Sequence, residues 1–140
     1  MKPISVLLVD ENPIFLEIIS RFLLDDFSNK VVVVGKATTY AKGEYLAQRF
    51  HPEVILVDHG LPGRTGLPFV ATIRRLVPEV SIIVLTLVDK PDYRKSALAA
   101  GADEFLGKDK VFHDLQFIIH QFIRAEPRAR PNWPAKVNFN

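Results

Sequence analysis

The chain has 140 residues, of which 48% are apolar, and 18 basic against 16 acidic side chains give it a net charge of +2. This length is enough for one domain with a substantial core, and the absence of cysteine excludes a disulfide framework and a thiolate metal site. No apolar stretch approaches the ~20 residues of a membrane span, and the start of the chain lacks the organisation of a signal peptide, so we expect a cytoplasmic protein without a membrane partner.

The positive charge is concentrated near the end of the chain. Residues 1–123 carry 14 basic and 15 acidic side chains, whereas residues 124–140 carry four basic side chains and one acidic one. The body of the chain is therefore nearly neutral, and we do not expect it to bind nucleic acid directly. Residues 126–140 contain three prolines and little periodicity, which is typical of a tail or linker, so the predicted domain is residues 1–125.

The first half of the chain begins with an apolar run at residues 4–9, which predicts a buried strand. Asn12 is a suitable N-cap, and Pro13 suits the first turn of a helix. The predicted core face of that helix consists of Ile14, Phe15, Ile18, Ile19, Phe22 and Leu23.

Residues 31–34 are four valines and predict a second buried strand, because β-branched side chains favour strands. A second helix is predicted at about residues 39–50, and its core candidates are Tyr40, Leu46, Ala47 and Phe50.

The second half of the chain repeats this alternation. Further strands are predicted at residues 54–57, 81–85 and 102–107. The remaining helices are predicted from about residue 67 to 77, with Leu76 on the core side, from 91 to 101, and from 110 to 124. Gly101 has the position in which a glycine commonly ends a helix. Because strands and helices alternate along the whole chain, the prediction is an α/β fold with a parallel sheet and helices on both faces.

Polar side chains follow four of the predicted strands. Asp10 and Glu11 follow the first strand, Asp58 the third, Thr86 the fourth and Lys108 the fifth. The carboxyl ends of parallel strands meet at one edge of a sheet, and open α/β sheets bind ligands outside that edge. Three carboxylates, a hydroxyl and an ammonium group suit a divalent cation together with a phosphoryl group.

The ordered set of these motifs resembles the receiver domain of response regulators, the phosphorylatable switch of two-component signalling. The matching pieces are Asp10 with Glu11, Asp58 with the Leu-Pro-Gly turn at residues 61–63, Thr86, and Gly-Ala-Asp-Glu-Phe-Leu-Gly-Lys at residues 101–108. The resemblance covers about residues 4–123. It implies a flavodoxin-like, doubly wound α/β/α fold with a five-stranded parallel sheet of order 2-1-3-4-5 and five helices.

The resemblance also implies the chemistry of the site. Asp58 is expected to accept a phosphoryl group from a phosphohistidine on a sensor histidine kinase or phosphotransfer protein. Mg²⁺ is expected to be held by Glu11, Asp58 and the backbone carbonyl of Gly60, and by Asp10 through water. Thr86 and Lys108 are expected to bind phosphoryl oxygens. Such a chain catalyses only its own phosphorylation and dephosphorylation, so we do not expect an enzyme with another substrate.

Thr86 and Phe105 correspond to the two-state switch of the family, in which the hydroxyl moves towards the phosphoryl group and the aromatic ring turns inward. The predicted output is altered binding through the face formed by the fourth helix, the fifth strand and the last helix, including a homodimer through the last helix. The residues expected on this face are Tyr93, Lys95, Ala99 and Phe105.

Gly60 and Val88 cannot orient a water molecule with their side chains, which favours a long-lived phosphoryl-aspartate.

Two other functions compete with this one. One is a receiver-fold interaction module that is never phosphorylated, which remains open because Glu11 replaces the commoner aspartate and Leu87 is bulkier than the residue often found beside the threonine. The other is an enzyme, which is disfavoured because the sequence has no G-x-G-x-x-G or Walker pattern and no second aspartate two residues after Asp58. A general-base role for His59 is also disfavoured, because successive residues leaving a strand diverge.

The resemblance does not decide whether the chain is a stand-alone receiver or part of a longer regulator. Only 15 residues follow Ala125, too few for an output domain. Within them, Trp133 and Phe139 are candidates for docking on a surface.

Overall fold

The computed structural model describes residues 2–61 and 64–124. Five strands form one sheet, in the order β2-β1-β3-β4-β5, and every neighbouring pair is parallel. The strands are β1 (Ile4–Val9), β2 (Val31–Ala37), β3 (Val54–Asp58), β4 (Ser81–Thr86) and β5 (Glu104–Gly107). The helices are α1 (Pro13–Phe27), α2 (Tyr40–Phe50), α3 (Leu67–Leu76), α4 (Pro91–Ala100) and α5 (Val111–Arg124). This architecture confirms the predicted flavodoxin-like α/β fold.

The sheet separates two apolar layers, because alternate side chains of a strand lie on opposite faces. On one face, Leu8 and Leu56 pack in a cluster with side chains of α1 and α5. On the other face, Leu7 and Val57 pack in a cluster with side chains of α2, α3 and α4. Each fully buried aliphatic side chain contributes about 1.5–3 kcal/mol of burial free energy, so both faces stabilise the position of the strand ends.

The prediction that β2 is a buried strand was wrong. The strand extends to Ala37 and lies at the edge of the sheet, where Val32 is 42% exposed. Val31 and Ala37 are buried at its two ends, and the residues between them are partly or fully exposed. Four consecutive valines indicate a strand in either case, because β-branched side chains suit a central or an edge position.

The predicted core face of α1 was also partly wrong. Ile14 is 69% exposed and Ile18 is 47% exposed, so neither lies in the core. The buried side chains are Leu16, Ile19, Ser20, Leu23 and Phe27. This helix has apolar residues around most of its circumference, so helical spacing alone selects no single face. Phe50 and Leu76, which were also core candidates, are partly exposed at the ends of their helices.

The helix boundaries follow from local chemistry. The Asn12 side chain accepts hydrogen bonds from the backbone N–H groups of Ile14 and Phe15 at 2.9 and 3.3 Å, which confirms the predicted cap of α1. Gly101 ends α4 with a φ of 120°, a conformation that favours glycine.

A two-residue ribbon, which the sequence did not predict, pairs Gly60–Leu61 with Arg64–Thr65 after β3.

Pro62 and Gly63 of the predicted turn lie outside the described residues, as does the predicted tail at residues 126–140. Among the helices that the structure describes, none is both long enough and apolar enough to cross a membrane.

Candidate functional site

The predicted site lies at the carboxyl edge of the sheet. Asp10 follows β1, Asp58 ends β3, Thr86 ends β4 and Lys108 follows β5. In the sheet register Asp58 is paired with Leu85, and Thr86 is paired with Gly107, the residue before Lys108. The topology therefore brings residues that are up to 98 positions apart in the chain to one place.

Lys108 joins two carboxylates. Its Nζ lies 2.7 Å from Asp10 Oδ2 and 3.1 Å from Asp58 Oδ1, and all three side chains are largely buried. The second carboxylate oxygen of Asp10 accepts a hydrogen bond from the backbone N–H of Asn12 at 2.8 Å. One ammonium group between two carboxylates leaves a net negative charge, so this cluster can accept a further cation or the positive charge of a ligand.

Phe15 is part of the site, although the sequence placed it in the core. Its ring centroid lies 4.2 Å from Lys108 Nζ, a distance at which the ammonium group is attracted to the face of the ring. The Asn12 cap fixes the first turn of α1 and hence the position of this ring. Nothing in the local sequence distinguishes Phe15 from its apolar neighbours, because its partner is distant in the chain.

The backbone on either side of Asp58 is held closely. The Tyr40 hydroxyl donates a hydrogen bond to the Asp58 carbonyl at 3.1 Å. A Cβ atom at Gly66 would lie 2.6 Å from that carbonyl and 3.0 Å from the Tyr40 hydroxyl. A glycine is therefore needed at position 66 for α3 to begin this close to the end of β3.

Thr86 is buried at the end of β4, but its hydroxyl is turned towards its own loop. Thr86 Oγ1 donates to the Val88 carbonyl and accepts from the Val88 backbone N–H, both at 3.0 Å. Leu87, the bulky residue that follows Thr86, is 78% exposed. The structure thus places Thr86 at the edge of the site, with its hydroxyl engaged by Val88.

Phe105 is fully buried in the layer covered by α2, α3 and α4. The Arg94 guanidinium lies 5.7 Å from its ring centroid, and Arg94 Nη2 donates to the Phe105 carbonyl at 3.0 Å. The His59 ring meets Phe105 edge-on at 5.8 Å and stacks on Tyr93 at 5.0 Å. The resemblance predicts Phe105 as a switch residue but does not indicate these ring contacts.

The oxygen donors at this edge fit the preference of Mg²⁺ for hard ligands. Asp10 and Asp58 meet at Lys108, and Gly60 has a φ of 92°, a conformation that favours glycine. Glu11 is exposed beside them. Within residues 2–61 and 64–124, no three acidic or histidine side chains are grouped as ligands of one ion. Carboxylate and carbonyl oxygens are donors that suit magnesium, but in this structure the Lys108 ammonium group lies between the two buried carboxylates.

Two acidic groups outside this cluster are also perturbed. Burial raises the pKa of Glu104 on β5 to about 7. The charge of Arg94 opposes this shift, and the charges of Asp103 and Asp114 add to it. Burial likewise raises the pKa of Asp114 on α5. Both residues lie near the face formed by α4, β5 and α5 rather than at the cluster of Asp10, Asp58 and Lys108.

A comparison with family models gives a match to the response regulator receiver domain over residues 6–120. The chain belongs to this family. The receiver domain that the motifs and their order predicted is therefore confirmed.

Curated relatives include longer response regulators and an enzyme. The chain is 29% identical over 125 residues to the nitrate/nitrite response regulator protein NarL of Escherichia coli (strain K12), covering 89% of this chain and 57% of that protein. It is 31% identical over 117 residues to a protein-glutamate methylesterase/protein-glutamine glutaminase of Saccharophagus degradans, covering 82% of this chain and 33% of the relative. The receiver domain thus spans about half or less of these relatives.

A solved structure shows the same fold. The signal receiver domain of the response regulator NarL from Mycobacterium tuberculosis matches with a TM-score of 0.76 and 27% sequence identity, covering 90% of this chain and 100% of that one. This likeness confirms the receiver fold.

Proposed function

We propose that this receiver domain accepts a phosphoryl group on Asp58 from a phosphohistidine of a sensor histidine kinase or phosphotransfer protein, and that it thereby changes its binding to a partner. The cluster of Asp10, Asp58 and Lys108 is the observation that carries this proposal. It combines a nucleophilic carboxylate, a second carboxylate and a cation at the ligand-binding edge of the sheet.

In the proposed reaction, an Asp58 carboxylate oxygen attacks phosphorus while the phosphorus–nitrogen bond to the donor histidine breaks. The bonding electron pair remains on the imidazole, and the product is an acyl phosphate on Asp58. Lys108 would pair with a phosphoryl oxygen, and the contact of its Nζ with the Asp58 carboxylate supports this role. Thr86 would exchange its bonds with Val88 for one to another phosphoryl oxygen.

Receiver domains generally bind Mg²⁺ at their acidic pocket. In this chain, Asp10, Glu11, Asp58 and the Gly60 carbonyl are the proposed ligands, and the ion supplies positive charge to offset repulsion between the carboxylate and the incoming phosphoryl group. The resting contact of Lys108 with Asp10 and Asp58 keeps these carboxylates together before the donor binds.

The proposed output surface is formed by α4, β5 and α5. Tyr93, Lys95 and Ala99 lie on α4, and Phe105 lies behind it on β5. Movement of Thr86 and Phe105 would change the position of α4 on this surface. A homodimer through α5 is proposed on the partial exposure of Phe112 and Phe117, which are 42% and 47% exposed, although the Phe112 ring also meets Phe22 of α1. This surface would contact a second copy of the chain, a kinase or another target.

The experiment that tests the proposal is intact-mass measurement after incubation with acetyl phosphate and Mg²⁺. Wild type should gain one phosphoryl group, and Asp58→Asn should gain none. Asp109→Asn, an exposed acidic residue close to Lys108 in sequence, is the matched control and should be modified like wild type. Modification of Asp58→Asn to the same extent as wild type would contradict the assignment of the acceptor.

A second candidate function is a receiver-fold interaction module that is not phosphorylated. Its supporting observation is that Glu11 is exposed and that no three acidic side chains are grouped as ion ligands in the described ranges. Calorimetric titration with Mg²⁺ distinguishes the two functions. No phosphoryl adduct together with no Mg²⁺ binding would favour the interaction module.

A further inference from the structure

His59 follows the proposed phosphoacceptor directly and is clamped through its backbone. Its N–H donates to the Leu85 carbonyl at 2.7 Å, and its carbonyl accepts from the Gly66 N–H, also at 2.7 Å. It is thus tied to the residue before Thr86 and to the residue before α3. A displacement at the end of β3 or β4 therefore has to move the His59 backbone.

The side chain of His59 is 6% exposed and contacts Tyr93 and Phe105, which belong to the apolar cluster covered by α2, α3 and α4. Its ring stacks on Tyr93 with centroids 5.0 Å apart and planes 22° apart. It meets Phe105 edge-on at 5.8 Å and 90°. Offset stacking and edge-on contact are the favourable arrangements of aromatic rings, so this trio of His59, Tyr93 and Phe105 is a packed unit.

The trio connects three elements of the fold. His59 lies in the loop after β3, Tyr93 in the first turn of α4, and Phe105 on β5. Arg94, next to Tyr93, holds the Phe105 carbonyl at 3.0 Å and lies over its ring, and Lys90 Nζ lies 5.6 Å from the Tyr93 ring centroid. Both cations are on the α4 side, so the trio and its surroundings bind the beginning of α4 to β5 and to the Asp58 loop.

Between its first turn and Gly101, which Arg74 binds, α4 buries few side chains. Ala97 is its buried residue, and most of its other side chains are exposed. A small side chain such as alanine contributes little burial free energy, so the contact of Tyr93 with His59 has a large share in positioning the helix. A helix held in this way can shift when one of its contacts moves.

We propose that His59 is a positioning residue that couples the state of Asp58 to the position of α4 through its ring contacts with Tyr93 and Phe105. This proposal rests on the proposed phosphorylation of Asp58. Modification of Asp58 and movement of Thr86 displace the strand ends that clamp the His59 backbone. The ring then moves with the backbone and shifts Tyr93, and with it the partner-binding surface of α4.

The test measures amide hydrogen exchange of residues 91–100 in the full chain, with and without saturating beryllofluoride and Mg²⁺ as a phosphoryl mimic. Wild type should show a change in exchange rates of about tenfold in α4 between the two states. In His59→Leu, α4 should exchange faster without the mimic, and the difference between the two states should largely disappear. His59→Phe keeps an aromatic ring and should restore most of that difference.

His120→Leu is the matched control. His120 lies on α5, and its ring also meets an aromatic ring, that of Phe27 on α1, with the centroids 5.1 Å apart. It should behave like wild type. A full α4 response in His59→Leu, or an equal loss in His120→Leu, would overturn the proposal. If His59→Leu does not fold, Tyr93→Leu removes the same contact from the helix side and should show the same loss, and a full response in Tyr93→Leu overturns the proposal as well.

Intact mass after acetyl phosphate separates this proposal from the proposed function. A phosphoryl adduct in wild type, with no change of α4 in the mimic-bound chain, would overturn the coupling role of His59 and leave Asp58 as the acceptor. The absence of any adduct in wild type would instead contradict the proposed function.

Discussion

At the scale of single residues, Lys108 determines the arrangement of the site. One ammonium group contacts two largely buried carboxylates and the face of Phe15. Removing one partner of a buried ionic group leaves uncompensated charge, which is more costly than the interaction itself is favourable. The same arrangement explains how the carboxylates of Asp10 and Asp58 can lie close together at this edge of the sheet.

Lys108→Gln should lower the free energy of unfolding by about 2–4 kcal/mol in the absence of divalent ions, because Asp10 and Asp58 then repel each other in a buried place. Saturating Mg²⁺ should reduce this loss, since the ion replaces the missing positive charge. Urea unfolding with EDTA and with Mg²⁺ measures both values. Lys95→Gln changes an exposed lysine of α4 and is the control; an equal loss for Lys108→Gln with and without Mg²⁺ would contradict the predicted metal site.

At the scale of elements, Arg74 joins the end of α3 to the segment before β5. Its guanidinium donates to the carbonyls of Gly101, Pro78 and Val80 and to Asp103 Oδ2, at 2.7–3.0 Å. Asp103 Oδ2 also accepts from the backbone N–H of Ile82 at 2.8 Å. This network, which the sequence did not predict, stabilises the packing of α3 beside α4 and the start of β5.

We expect Arg74→Ala to lower the free energy of unfolding by about 2–4 kcal/mol, because hydrogen bonds to a charged group are stronger than neutral ones and the carbonyls lose their donor. Arg75→Ala removes the exposed neighbouring arginine and should change stability by less than about 0.5 kcal/mol. Chemical denaturation of the three proteins measures the difference. Equal values for the two variants would show that the network contributes nothing to stability.

The face of α1 gives a second prediction at this scale. Ile19→Ala should cost about 2–4 kcal/mol of stability, because Ile19 is fully buried between α1 and the sheet. Ile18→Ala should cost less than about 1 kcal/mol, since nearly half of that side chain is exposed. Thermal unfolding monitored by circular dichroism compares these neighbours directly. A larger loss of stability in Ile18→Ala than in Ile19→Ala would instead support Ile18 as part of the core face, as the sequence predicted.

At the scale of the whole molecule, the buried acid Glu104 makes stability depend on pH. Its Oε1 atom has no hydrogen-bond partner within the described structure, and burial raises its pKa from 4.5 to about 7. Between these two values the folded chain binds more protons at this site than the unfolded chain does. The contribution of Glu104 to stability is therefore fully present below pH 4.5 and is lost as the pH rises through about 7.

Glu104→Gln should remove this part of the pH dependence, because an amide does not ionise. The variant should be more stable than wild type at pH 8, by about 1–3 kcal/mol, and should lose this advantage at pH 5. Asp114, whose pKa burial also raises, still titrates in the variant, so some dependence should persist. Urea unfolding at the two pH values measures the effect, and a constant difference between the proteins would contradict it.

The sequence by itself determined the α/β class, the order of the elements and the polar residues at the strand ends. These features depend on short apolar runs, on caps such as Asn12, and on motifs whose residues lie close together in the chain. The receiver family and the sheet order followed from the ordered motifs around Asp10, Asp58, Thr86 and Lys108. The match over residues 6–120 and the parallel sheet confirmed both.

Only the tertiary structure decided which surfaces are buried and which distant side chains meet. It exposed the middle of β2, selected the buried face of α1, put Phe15 against Lys108 and stacked His59 on Tyr93. Each of these facts depends on packing between segments that are far apart in the chain. Local periodicity cannot determine such contacts, because one apolar or aromatic residue suits several partners equally until the sheet and its helices bring them together.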